Sequence, residues 1–148
     1  MILTSFIAFI FWCLIACTFG YVEAYVWHKN ATHLRPLTRP QNEGLHAFFV
    51  LQRTIAIAIF QIPLVVVNIY SGESYPWVFP FVLFFVFPFF HNGSKYSRRN
   101  SLHPGNYEKG WWSDPSNTSL AKGNLSIVQR LLSLGVGFAI YIIWLVLA

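Results

Sequence analysis

The sequence predicts an all-α, integral membrane four-helix bundle with a long polar loop between its third and fourth helices. Three observations lead there. Of 148 residues, 55% are hydrophobic, 19% aromatic and only 10% charged, whereas soluble domains carry about a quarter of their residues charged. Four apolar runs, at residues 2–27, 46–70, 75–90 and 127–148, alternate with polar loops at 28–45 and 91–126. Finally, eight of the ten Lys and Arg residues lie in those two loops, which an even number of spans places on one face. Positively charged loops stay in the cytoplasm, so both termini are expected outside. The net charge of +5 therefore reads as a topology signal, and a nucleic-acid partner is not implied.

The first run carries no charge before Glu23. Leu14-Ile15-Ala16-Cys17 has the form of a bacterial lipobox, which offers cleavage or lipidation at Cys17 as an alternative. No Lys or Arg precedes the run, however, and the apolar pattern continues past Cys17, so a retained spanning helix is expected. Ala16, Gly20 and Ala24 recur every four residues, the small-residue spacing that lets helices approach closely. They turn Glu23 toward the bundle interior. Cys13 and Cys17 share a face as small packing residues rather than as a redox pair.

Residues 28–45 carry Lys29, Arg35 and Arg39, and Pro36 and Pro40 are expected to prevent a regular helix. The second helix then carries His46, Arg53, Gln61 and Asn68 within an arc of about 80° at about 100° per residue. This single polar stripe reads as interhelical hydrogen bonding or as the wall of a site. Pro63, off the stripe, is a possible kink. Residues 71–74 form a short turn flanked by Tyr70, Tyr75 and Trp77, aromatics suited to a membrane–water interface.

The third run, 75–90, is very apolar but short, and Pro76, Pro80 and Pro88 punctuate it. It reads as a short, kinked spanning helix, with a re-entrant hairpin as the alternative. Residues 91–126 are rich in Gly, Pro, Asn and Ser, so only short regular structure is expected. There Lys95, Arg98 and Arg99, with Trp111 and Trp112, are the candidates for contact with anionic headgroups. The last run is a clear spanning helix, with Arg130 near its start and Ser133, Gly135 and Gly137 as close-packing positions.

Four Asn-X-Ser/Thr sequons, at Asn30, Asn92, Asn117 and Asn124, lie in the basic loops. Glycosylation there opposes the charge-derived orientation, and a bacterial cytoplasmic membrane removes the conflict.

Depth brings the chemistry together. Glu23 lies near the cytoplasmic end of the first helix, and Arg53 about 10 Å into the second at ~1.5 Å per residue. Glu23 and Arg53, joined by Arg130, His28, His46 and His91, form a candidate polar cluster near the cytoplasmic boundary. Glu23 and Arg53 are expected to balance one another. No HExxH or paired metal-ligand spacing, nucleophile elbow or phosphate-cradling loop is present, so neither a metal nor a cofactor is expected. Arg53 and Pro63 are similar to the ends of a motif in the second helix of the membrane-associated eicosanoid and glutathione metabolism proteins. Ile57 and Phe60 stand where that motif has Asn and Glu, so its chemistry is not carried over. The expectation is a non-enzymatic packing or interaction component of a membrane assembly, self-associating through helices 1 and 4 or meeting another membrane protein. The alternative is an enzyme or carrier for a lipid-like substrate.

Overall fold

The computed structural model describes residues 2–32, 39–71, 78–105, 107–114 and 125–147. Its elements are four α-helices, α1 (Ile2–Thr32), α2 (Arg39–Ser71), α3 (Phe79–Leu102) and α4 (Ile127–Leu147), with a 3-10 turn at Gly110–Trp112. No strand occurs among the described residues.

Three boundaries differ from the sequence reading. The helix α1 runs on to Thr32, and α2 already begins at Arg39, so the polar loop between them is much shorter than 28–45. Pro40 does not break α2 because it falls in the first turn, where a missing N–H costs no hydrogen bond. The largest difference is α3, which continues through polar residues 91–102 as one helix of 24 residues. These residues stay helical because their polar groups find partners on α1 and on the segment that follows α3. Pro80 sits in the first turn, and the helix runs through Pro88, so this element is a continuous helix and not a re-entrant hairpin. Residues 72–77, including Pro76, lie outside the described residues.

The helix α3 lies between α1 and α4. It runs parallel to α1: the Trp12 indole Nε1 donates to Leu83 O at 3.0 Å, and Ser94 Oγ donates to Cys17 O at 2.7 Å. Such close approach depends on the small residues of α1. Ala16 and Ala24 are fully buried, and a Cβ at Gly20 would collide with the His91 carbonyl oxygen. The helix α4 runs antiparallel to α3. Ser133 Oγ donates to Phe85 O at 2.5 Å, and Gly137 packs against Val86. Gly135, expected to be a close-packing position as well, has open space around it.

Phe9, Trp12, Phe79, Val82, Leu83, Val86 and Tyr141 form the core. At its apolar end Ser5 Oγ and the Tyr141 hydroxyl share a hydrogen bond of 3.0 Å. Antiparallel to α1, α2 meets the other helices at two levels, through Phe60 against Trp12, ring centroids 5.5 Å apart, and through Arg53. Two helices, α1 over Ser5–Lys29 and α4 over Ile127–Leu147, are long and apolar enough to cross a bilayer. In α2 the apolar stretch is shorter, Ala47–Ile62.

Candidate functional site

At the polar end of the bundle Glu23 is buried to 1% exposure, and its carboxylate is met from three helices. From α2, Arg53 donates NH2 to Oε2. From α3, Lys95 Nζ donates to Oε1 at 2.6 Å, and His91 Nε2 stands 2.9 Å from Oε2. One turn further along α1, the Trp27 indole reaches Oε1 at 3.4 Å. The parallel course of α1 and α3 makes this possible. It sets Glu23 beside the turn of α3 on which His91 and Lys95, four residues apart, share a face.

Both ring nitrogens of His91 have partners. Arg53 NH2 lies 2.9 Å from His91 Nε2, while His91 Nδ1 is 3.0 Å from Asn92 Oδ1. Nε2 is therefore shared between the Arg53 guanidinium and Glu23 Oε2, 2.9 Å from each. The ring is stacked on Phe87, centroids 5.0 Å apart, and Phe87 also lies under the Arg53 guanidinium at 5.5 Å. Two cations and a polarised imidazole thus surround one carboxylate. Removing a carboxylate from water is costly unless it is paired and hydrogen-bonded, and Glu23 is both.

The remaining expected members lie elsewhere. Arg130, placed with Glu23 by sequence depth, is fully buried in a separate site. Its NH1 donates to Trp111 O at 3.1 Å, its NH2 donates to Ser113 O, and its guanidinium is 5.1 Å from the Tyr96 ring. His28 is toward the end of α1, with its Nδ1 2.7 Å from His103 Nε2. The side chains of His46 and Asn68 lie outside the described residues. Gln61 is half-buried, on the face of α2 that Arg53 also occupies.

Of the residues expected to touch headgroups, Lys95 is instead buried at 4% exposure against Glu23. Extension of α3 past residue 90 turns it inward, where the carboxylate holds it. Arg98 stacks on Tyr21 at 4.5 Å. Arg99 donates NH1 to the Tyr107 hydroxyl at 3.2 Å. Trp111 is half-buried against Gly93, whose missing side chain makes room for the indole. Trp112 is exposed. Lys95 and Trp27 are the cluster members that the sequence reading missed, and both stand four residues from a recognised one.

Among the described residues no group of three or more His, Cys, Asp or Glu could hold a metal ion. The chain matches no protein-family model, no curated protein and no solved structure.

Proposed function

We propose that the chain is a four-span membrane protein acting as a non-enzymatic packing and interaction component of a membrane assembly, with α2 as the helix that meets its partner. The observation that carries this reading is the inside-out polarity of α2. Arg53 and Gln61 face the bundle, while Phe48, Leu51, Ile55, Ile59, Ile62 and Ile69 are exposed on the opposite side. In water that polarity is unfavourable, because about 25 cal/mol is lost per Å² of apolar surface left exposed. In lipid or against another apolar helix it is the stable arrangement.

Two further features support a protein partner. Phe48, Ile55, Ile62 and Ile69 recur at every seventh residue, the period that keeps one seam against a neighbouring helix. The small residues that suggest self-association through α1 and α4 are already packed on α3 at Gly20 and Gly137, so the apolar faces left on α1 and α4 lack that close-packing pattern. The Lys and Arg bias supports both termini outside and the charged cluster near the cytoplasmic boundary.

The test uses the full chain in its native membrane, with Cys13 and Cys17 replaced by alanine. Ile55→Cys or Ile62→Cys is expected to cross-link to a second copy or to one stoichiometric membrane protein, while Val128→Cys on α4 does not. An impermeant thiol reagent added outside should label Ser71→Cys and spare Ser101→Cys. A chain that stays uncross-linked and monomeric after mild extraction overturns the assembly reading. Equal labelling of the two serine positions overturns the orientation.

A further inference from the structure

We propose that the outer edge of Arg53 binds a phosphate-type oxyanion, carried by an anionic lipid headgroup or free in solution. The inference goes beyond the assembly reading and needs no protein partner. It begins with a charge count over every described element that faces the cluster. From α1 come Glu23 and the neutral Trp27, from α2 Arg53, and from α3 Lys95 and His91. Arg130 of α4 is turned toward the Trp111 and Ser113 carbonyls and takes no part. Two basic side chains therefore share one carboxylate, and a buried excess charge without a counter-ion is unfavourable.

Arg53 is where that excess is reachable. Lys95 and Glu23 are closed off, with side chains 5% and 1% exposed, whereas the Arg53 side chain is 19% exposed. Arg53 also has donors to spare. Its contacts to Glu23 and His91 both use NH2, so among the described residues its Nε and NH1 make no hydrogen bond. A guanidinium with open N–H groups suits a phosphate oxygen better than any other side chain does, being planar, permanently charged and weakly hydrated. Position adds the last step. Glu23 and Arg53 lie toward one end of the apolar stretches Ser5–Lys29 and Ala47–Ile62, where a long arginine side chain reaches out to the interface and a lipid phosphate can meet it.

The experiment places the full chain in nanodiscs of phosphatidylcholine alone or of an equimolar mixture with phosphatidylglycerol. Lipid retention is read by native mass spectrometry and melting by Trp fluorescence. The wild type is expected to retain phosphatidylglycerol over phosphatidylcholine by about tenfold or more. Arg53→Gln removes the preference, Arg53→Lys keeps part of it, and Lys109→Gln keeps it all. Glu23→Gln removes the competing carboxylate. It should increase the preference, and its lowered melting temperature in phosphatidylcholine should rise again in the mixture. Millimolar inorganic phosphate, added to phosphatidylcholine nanodiscs, separates the sources: it raises the melting temperature if the anion is a free one, and phosphatidylglycerol alone acts if it is a headgroup. Wild-type preference in Arg53→Gln overturns the proposal. So does loss of preference in Glu23→Gln, the result a purely structural ion pair gives. Should Arg53→Gln fail to fold, Arg53→Lys and Glu23→Gln still decide the matter.

Discussion

Arg53 and Arg130 lie within the apolar runs of α2 and α4, and the chain accommodates them in opposite ways. Arg53 meets a charge from far along the sequence: it joins α2 to Glu23 of α1 and His91 of α3. Arg130 is held by dipoles: the carbonyls of Trp111 and Ser113, closer along the sequence, and the face of Tyr96. The first arginine ties helices together and leaves part of its guanidinium open. The second is fully buried and clamps the segment after α3 onto the start of α4. A buried charge neutralised by a buried charge makes each partner hostage to the others, whereas removal of Arg130 leaves behind carbonyls and one exposed carboxylate, Asp114, which water can solvate.

The largest expected effect follows from that asymmetry. Glu23→Leu strands both Arg53 and Lys95 and should cost about 3–5 kcal/mol of stability, read by thermal unfolding in detergent. Adding Arg53→Leu recovers only part of this, because Lys95 is still held 2.6 Å from where the carboxylate was. The triple variant with Lys95→Leu recovers most of it. In a double-mutant cycle Glu23 couples to Arg53 and to Lys95, but to Arg130 by no more than about 0.5 kcal/mol. Coupling of Glu23 to Arg130, or a double variant as stable as the triple, would break the separation of the two sites.

Arg130→Met is the matching test of the second site, with a smaller effect. It removes two charge-assisted bonds to carbonyls, each worth about 1.5–3 kcal/mol, but also the cost of burying the guanidinium, and the expected net loss is about 2 kcal/mol. The change should be local. Trp111 and Trp112 become more accessible to iodide, and trypsin cuts sooner after Lys109, while α1 and α3 keep their contact. Unchanged Trp quenching would mean that Arg130 does not hold this segment.

The charged site was half legible in the sequence. Glu23 and Arg53 stand out because each interrupts an apolar run, and antiparallel traversal places them at one depth. Lys95 was hidden by the Gly, Asn and Ser around it, which read as loop by local propensity. Tertiary contacts override that propensity: Gly93 is the seat of the Trp111 ring, and Ser94 bonds the Cys17 carbonyl. Arg130 was misplaced for another reason. Depth along a helix does not specify the direction in which a side chain points, and the carbonyls that hold Arg130 belong to a segment without periodic pattern. Similarly, all-helical class follows from four apolar runs, but the central place of α3 does not. Its proline-rich start and polar second half make it the least helix-like of the four.

The smallest effects separate the glycines that make close approach from one that does not. At Gly20 an added methyl would collide with the backbone oxygen of His91, a contact relieved only by moving α1 away from α3. Gly20→Ala should therefore cost about 1–3 kcal/mol, and it should weaken the Glu23 cluster along with the packing, because His91 is the residue displaced. At Gly137 the nearest atom is a Val86 methyl at 2.7 Å, the end of a side chain, so Gly137→Ala is expected near the bottom of that range. At Gly135 nothing lies within 4 Å, and the residue is exposed in the middle of α4. There alanine meets no obstacle and removes the conformational freedom that glycine contributes to the unfolded chain, so Gly135→Ala should stabilise by about 0.5–1 kcal/mol. Melting temperatures of the three variants in one detergent check the order. A destabilising Gly135→Ala would mean that this face of α4 is covered by another helix in the assembled protein, and a harmless Gly20→Ala would mean that α1 and α3 do not touch at the level of the charged site.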